Sequence, residues 1–126
     1  RQLLALLRLA ESHALKTGRT TRISIQLAAS TAHFEEAPGN YPASDAFQAI
    51  SKSWARSFSP SGRTRFTETA FQNETSKASV ENICFYPDGT ADGCEIRLVS
   101  QESETCAVAI ESMTANLRLR SSWKNP

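Results

Sequence analysis

Apolar residues recur with two different periods along this chain. At the start they return every three or four positions, which places them on one stripe of an α-helix: Leu3, Leu6, Leu7, Ala10 and Ala14. Over residues 80–120 they return every second position, which places them on one face of a strand. The pattern predicts an α+β protein in which an N-terminal helix packs on antiparallel β-sheets in a sandwich-like arrangement and projects beyond them.

The predicted strands form an early element and a later group. Isoleucine and leucine alternate with polar residues over residues 20–27, which predicts a half-buried first strand. Antiparallel strands are predicted over residues 63–120, beginning with an edge strand at residues 63–71. A Pro-Asp-Gly turn at residues 87–89 predicts that the strands on either side of it form a hairpin.

Residues 28–62 form a variable insert between these two parts. The insert begins with many Ala, Ser, Pro, Gly and acidic residues, a composition typical of loops. Four apolar residues farther on have helical spacing: Phe47, Ile50, Trp54 and Phe58. With Ser44 as a capping residue and Asp45 at the positive end of the helix dipole, they predict an inserted helix over residues 45–58.

Length and composition describe one domain. The 126 residues suffice for a single core, with a stalk helix at residues 1–17 and a short tail at residues 121–126. The chain carries 14 basic and 13 acidic residues, so its net charge of +1 does not point to nucleic acid or an acidic membrane. No apolar run reaches the roughly 18 to 20 residues that a membrane span requires. Because the chain opens at Arg1, we expect that a preceding segment has been removed.

Three cysteines lie in the predicted strands: Cys84, Cys94 and Cys106. They form no Cys-x-x-Cys pair and have no histidine at ligand spacing, so we expect no metal site. Nothing in the pattern brings a nucleophile beside a base, so we expect no catalytic site. A hairpin symmetrical about Gly89 would place Cys84 opposite Cys94, within disulfide range. A register that buries the apolar residues of both strands together would separate the two thiols, and the sequence leaves both registers open.

The N-terminal helix carries more apolar surface than its main stripe. Leu4 and Leu9 lie beside the stripe and widen it beyond what one small sheet covers. This predicts that the first two turns contact another protein through Leu3, Leu4, Leu7 and Leu9. The alternative is a helix packed wholly within the domain, because exposed leucines are common in proteins.

Two segments resemble the pseudopilins and minor pilins of the GspH/FimT type. Residues 7–19, a helix with small residues and a basic last turn that leads into a strand, resemble the stalk helix of that family. Residues 83–98, with Phe-x-Pro-Asp-Gly followed by a glycine-containing turn and an Ile-x-Leu strand, resemble its second signature. The two segments occur in the family's order, separated by an insert of variable length.

The resemblance implies a pilin-like fold and an architectural function. Family members are made as precursors whose N-terminus is methylated and whose hydrophobic N-terminal helix anchors them in the inner membrane. By resemblance, this chain is the periplasmic part of a minor pseudopilin of the type II secretion system in a Gram-negative-type bacterium. It would join other pseudopilins or pilins at the tip of a pilus-like filament that drives protein export. The resemblance implies no enzymatic activity, cofactor or small-molecule substrate.

The last predicted strand departs from the family pattern. Related proteins often end in Thr-Gly-Arg-x-Arg, and in the DNA-uptake branch these arginines contact DNA. This chain lacks the glycine but keeps Arg118 and Arg120, with Lys124 close behind. The alternative function is therefore a DNA-binding minor pilin of a type IV pilus, acting through these three residues. The pattern favours the other explanation, that the arginines alternate with Leu117 and Leu119 because one sheet face meets water.

Overall fold

In a computed structural model of the chain, the described residues are 2–37, 47–60, 64–71, 74–76, 80–100, 104–112 and 117–120, with the backbone alone described for 74–76 and 118–120. They form a helix, a 3-10 turn and nine strands: α1 (Gln2–Thr17), β1 (Thr21–Gln26), β2 (Thr31–Glu36), β3 (Gln48–Ala49), the 3-10 turn (Ser53–Ala55), β4 (Arg65–Phe71), β5 (Glu74–Ser76), β6 (Val80–Phe85), β7 (Cys94–Val99), β8 (Thr105–Ile110) and β9 (Leu117–Arg120).

Helix α1 forms where the sequence predicts it, and a glycine closes it. The N–H of Gly18 donates to the carbonyl oxygen of Ala14 at 3.0 Å, and Gly18 adopts the left-handed conformation with φ of 70°. The Thr17 hydroxyl donates to the carbonyl oxygen of His13 at 2.7 Å. Lys16 lies in the last turn, at the negative end of the helix dipole. The predicted N-terminal helix is confirmed.

The strands form two antiparallel sheets that share one core with the helix. The first sheet has the order β3-β2-β1-β6 and the second has the order β5-β4-β7-β8-β9. Helix α1 contacts β1 and β6 of the first sheet and β9 at the edge of the second. The predicted packing of one helix on antiparallel sheets is confirmed. The helix packs from its first turn, where Leu3 is buried. The predicted projection beyond the sheets is therefore absent from the described helix, Gln2–Thr17.

The strands on either side of the Pro-Asp-Gly turn do not form the predicted hairpin. Strand β6 pairs with β1, whereas β7 pairs with β4 and β8. Between residues 86 and 93 the chain therefore crosses from the first sheet to the second. Alternating apolar residues face a common core equally well from two facing sheets or from one hairpin, so the period alone did not distinguish them. The hairpin prediction is wrong.

The predicted helix over residues 45–58 is also wrong. In the described part of this segment, the chain forms β3 and a single 3-10 turn. Phe58 and Ala32 exchange two backbone hydrogen bonds of 2.8 Å, so neighbouring strand residues satisfy the backbone here. Four of the nine residues at 51–59 are serines, which compete for backbone hydrogen bonds and disfavour a helix interior. The predicted capping residues Ser44 and Asp45 lie outside the described residues.

Two further strand predictions need correction. Residues 31–36 form β2, where the sequence predicts a loop. The strand was missed because only two of its six residues, Ala32 and Phe34, are buried apolar ones. Strand β4 lies between β5 and β7, so it is an interior strand and not the predicted edge. Its charged Glu68 is buried there because Arg97 of β7 donates a hydrogen bond to the Glu68 carboxylate.

Candidate interaction surface

Three large apolar side chains are exposed among the described residues, and two of them lie on α1. Leu9 is 42% exposed and Leu15 is 53% exposed, while the third, Val80 of β6, is 42% exposed. At 3.6 residues per turn, Leu9 and Leu15 point about 120° apart around the helix axis. They therefore lie on opposite flanks of the buried stripe.

The predicted partner-binding face of the helix is only partly available. Leu3 and Leu7 are 3% and 0% exposed within this chain, so they belong to its core. Leu4 is half-buried and packs against the core, and Leu9 remains exposed. Leu15 was missed by the sequence analysis, although it follows Leu4 by three helical turns on the same side. The exposed large apolar side chains of the helix are Leu9 and Leu15, and Leu4 is half-buried on the same flank as Leu15.

The two flanks of α1 differ in their surroundings. Arg8 and Glu11 lie between Leu4 and Leu15, and burial raises the pKa of the Glu11 carboxyl while the positive charge of Arg8 partly offsets this effect. Around Leu9, the nearest helix positions carry Ala5, Leu6, Ser12 and His13, of which Leu6 packs against the core and His13 is buried. Leu15 is the more exposed of the two leucines, at 53% against 42% for Leu9.

Near its C-terminal end, α1 is joined to β2 by a buried polar contact. His13 Nε2 lies 2.6 Å from Glu36 Oε2, and the two side chains are 9% and 12% exposed. An ionised carboxylate only accepts hydrogen bonds, so a bond to it requires the His13 tautomer with its hydrogen on Nε2. Arg19 Nη1 lies 3.6 Å from the other carboxylate oxygen, Oε1. The sequence offered one signal for this pair, a histidine at a buried helix position.

Trp54 of the 3-10 turn covers this contact. Its ring lies 5.8 Å from the ring of His13 and 5.8 Å from the ring of Phe34, at interplanar angles of 66° and 68°. Both are edge-to-face arrangements, which aromatic rings prefer. The insert thus contacts the helix through a tryptophan that the sequence analysis had placed on a helical stripe.

The cysteines do not form a reactive site in the described structure. All three are free thiols, and because Cys84 and Cys94 lie in different sheets, the cross-strand register that would have allowed a disulfide between them does not exist. Burial raises the pKa of Cys84 to about 11 and that of Cys94 to about 12, and the negative charge of Asp92 adds to both effects. Both thiols are therefore protonated at neutral pH and are weak nucleophiles.

Asp92 holds the segment that crosses between the sheets. Its Oδ1 accepts a hydrogen bond of 2.8 Å from the Tyr86 hydroxyl, and its Oδ2 accepts one of 2.9 Å from the N–H of Cys84. Burial raises the pKa of Tyr86, and the bond to Asp92 raises it further. On the other side, the N–H of Ala91 donates to the carbonyl oxygen of Ser112 at 2.9 Å. The signature segment around residues 85–93 therefore ties the two sheets together.

The predicted nucleic-acid residues lie at the end of the chain. Arg118 and Arg120 are in β9, opposite Ala109 and Ala107 of β8, and Lys124 lies outside the described residues. On their other side, Ala109 pairs with Glu95 of β7 and Ala107 pairs with Arg97 of β7. Arg97 forms ion pairs with Glu68 and Glu95. The rows that contain the two arginines thus also contain acidic residues.

The described residues offer neither a cluster of metal ligands nor a membrane-spanning helix. Over the described ranges, no group of three or more His, Cys, Asp or Glu residues is arranged to hold a metal ion. Within the same ranges, no helix combines the length and apolar character that a membrane span requires.

Comparison with known proteins identifies the family. The family model described as "Type II transport protein GspH" matches residues 1–114, so the chain belongs to the GspH family of type II secretion pseudopilins. No curated protein sequence matches the chain significantly.

Solved structures of minor pseudopilins share the fold. A structure of the minor pseudopilin EpsH from the type 2 secretion system of Vibrio cholerae superposes with a TM-score of 0.71 at 11% identity, covering 94% of this chain and 90% of that one. A crystal structure of the same protein gives 0.70 at 12% identity, covering 98% and 92%. The solution structure of Escherichia coli GspH gives 0.65 at 13% identity, covering 99% and 87%. At these identities the likeness concerns the fold.

Proposed function

We propose that this chain is a structural subunit at the tip of a periplasmic pilus-like filament of a type II secretion system, where it assembles with other pseudopilins and supports protein export. Membership of the GspH family supports the system to which we assign it. Like pseudopilins in general, the protein acts in the periplasm and is held at the inner membrane. Its role is architectural, without a catalytic step, a cofactor or a small-molecule substrate.

The observation that carries the proposal is the apolar exposure of α1. A helix that serves only its own domain buries its large apolar side chains or surrounds them with polar ones. Here the helix buries one stripe completely, yet leaves Leu9 42% and Leu15 53% exposed on its two flanks. Exposed leucines on an otherwise packed helix are candidates for contact with another protein. We assign Leu4, Leu9 and Leu15 to contacts with neighbouring subunits.

The first test is a charge on the flank of the helix that carries Leu9. Leu9→Asp places a carboxylate where a neighbouring subunit would pack, so co-purification of other pseudopilins and secretion by the host should both fall, by about tenfold for each 1.4 kcal/mol of lost contact energy. Val80→Asp is the matched control, because Val80 is equally exposed at 42% but lies on the first sheet. Thermal unfolding of both variants verifies that each still folds.

Leu9→Asp and Val80→Asp should have different effects on assembly. Loss of assembly with Leu9→Asp, and wild-type behaviour with Val80→Asp, supports the proposal. Assembly that survives Leu9→Asp and Leu15→Asp together would contradict the assignment of the helix. Immunogold labelling of purified filaments tests the position of the subunit, because a tip subunit is labelled at one end and a subunit of the filament body is labelled along the length.

The alternative of a DNA-binding minor pilin has no comparable support. Neither the family match nor the described contacts favour it, and the cross-strand rows of β9 include acidic residues.

A further inference from the structure

We propose that the insert acts as a brace for the stalk helix: His13, Glu36 and Trp54 fix the position of α1 on the first sheet, and assembly depends on that position. The second half of this statement rests on the proposed function, whereas the first half concerns the fold alone. The three residues come from three separate elements, α1, β2 and the 3-10 turn. They are called the brace below.

The buried stripe of α1 provides burial without direction. It consists of Leu3, Leu7, Ala10 and Ala14, each 3% exposed or less. Apolar contacts are non-directional, so a stripe of two leucines and two alanines tolerates a small rotation or slide of the helix. A hydrogen bond constrains both distance and angle. Among the described residues, the side-chain hydrogen bond that joins α1 to a strand is the one between His13 and Glu36.

Glu36 is a firm point of attachment. It lies at the end of β2, paired with Thr21 at the start of β1. The N–H of Ala37 donates to the carbonyl oxygen of Thr20 at 2.9 Å, so the two strands stay joined past the end of the ladder. Only residues 18–20 separate α1 from β1. The carboxylate of Glu36 therefore holds a fixed place under the last turns of the helix.

Through Trp54, the insert contributes directly to the brace. The ring packs edge-to-face on His13 from one side and on the buried Phe34 from the other. This arrangement restricts the imidazole to the orientation in which Nε2 meets Glu36 at 2.6 Å. The contact is shielded from water, and truncation of either partner leaves the other polar group buried without this bond. The consequence is a helix that loses its directional contact while its apolar stripe remains.

The position of the helix can be measured on the chain itself. Residual dipolar couplings of backbone amides report the direction of α1 relative to the strands of the first sheet. Glu36→Ala and His13→Ala should change the couplings of residues 3–16 as a set, while the couplings of β1 and β6 stay unchanged among themselves. His13→Gln restores a donor to Glu36 and should return the helix couplings toward the wild-type values. Trp54→Ala should produce a smaller change of the same kind.

Glu35 provides the matched control. It neighbours Glu36 on the same strand but faces the opposite side of the sheet, where its Oε1 lies 2.8 Å from Nη2 of Arg22. Glu35→Ala therefore also breaks an ion pair of β2, without touching the helix. We expect it to leave the helix couplings and the co-purification of pseudopilins at wild-type values. Glu36→Ala should lower co-purification about tenfold, and His13→Gln should retain it.

Every outcome decides one of the two claims. Helix couplings that are identical in wild type and Glu36→Ala would overturn the brace, whatever happens in assembly. A shifted helix with normal assembly, in a host where Leu9→Asp prevents assembly, would refute the dependence of assembly on the brace and leave the filament role intact. Normal assembly in both Leu9→Asp and Glu36→Ala would refute the dependence of assembly on the brace. The double variant Leu9→Asp with Leu15→Asp would then decide the helix contact, and the couplings would still decide the brace.

Discussion

Gly93 lies against Ser112 so closely that a Cβ atom on residue 93 would be 2.9 Å from the Cβ of Ser112 and 3.3 Å from its backbone nitrogen. Gly93 ends the segment that crosses between the sheets, and Ser112 follows β8 of the second sheet. The glycine is required here because of close approach, since any side chain would push the crossing segment away from the second sheet. The same approach allows the backbone bond from Ala91 to Ser112.

Replacement of this glycine should therefore destabilise the fold. Gly93→Ala should lower the free energy of unfolding by about 1–3 kcal/mol, the usual effect of overpacking. Urea titration followed by circular dichroism measures the change. The double variant Gly93→Ala with Ser112→Gly removes the nearest atom and should recover part of the loss. Equal stability of Gly93→Ala and wild type would show that the two segments separate without cost.

The carboxylate of Asp92 should contribute more to stability than that of its neighbour Asp88. Asp92→Ala removes the acceptors for the Tyr86 hydroxyl and the Cys84 N–H, both partly buried, and should lower the free energy of unfolding by about 1–3 kcal/mol. Asp88 is exposed and bonds only to Thr90 within its own turn, so Asp88→Ala serves as the control with a smaller effect. Thermal unfolding of the two variants should rank them in this order, and the reverse ranking would be inconsistent with Asp92 as the residue that holds the crossing segment.

The difference between these two aspartates also illustrates what sequence alone could provide. The Pro-Asp-Gly pattern correctly indicates a turn, and Gly89 there has a positive φ of 92°. The pattern does not say whether the chain returns to the same sheet or crosses to another, because that depends on hydrogen bonds made by Asp92 and Ala91 beyond the turn. Strand existence was therefore predictable for β6 and β7, and their pairing was not.

The surface of the helix was predictable to a similar degree. The apolar stripe identified α1 because sixteen residues with one period give a strong signal. Which leucines remain exposed depended on the partners that the folded chain supplies, and these cover Leu3 and Leu7 but not Leu9. The pair of His13 and Glu36 joins residues 23 positions apart through a strand that the sequence did not reveal. Long-range pairs of this kind have no local pattern.

Stability should fall at alkaline pH because the folded chain raises the pKa of two buried thiols and of the Tyr86 hydroxyl. The pKa of Cys84 is raised from its usual value of 9.0 to about 11, and that of Cys94 to about 12, so above pH 9 the unfolded chain loses protons that the folded chain retains. The free energy of unfolding should therefore be constant below about pH 9 and decrease as pH rises toward 11 to 12. Urea titrations from pH 7 to pH 11 measure this slope.

The matched variants for the alkaline transition are Cys94→Ala and Cys106→Ala. The first removes a buried thiol with a raised pKa and should flatten the slope, although it also lowers stability at neutral pH through lost packing. The second alters a cysteine that lies only partly in the core and serves as the comparison for loss of a cysteine side chain. A slope that is identical in all three proteins would mean that the thiols do not cause the alkaline loss.

This chain should bind duplex DNA weakly, and replacement of Arg118 and Arg120 should leave that affinity unchanged. The net charge is +1, and the cross-strand rows of β9 include Glu95 and Arg97, which are already engaged in ion pairs. Replacement of both arginines by alanine should leave the fluorescence anisotropy of a labelled duplex unchanged over a salt series. Arg8→Ala, on the exposed side of α1, controls for the loss of a positive charge elsewhere. A DNA-uptake protein would instead bind at low salt, with a salt slope that decreases by about one for each arginine removed from the contact.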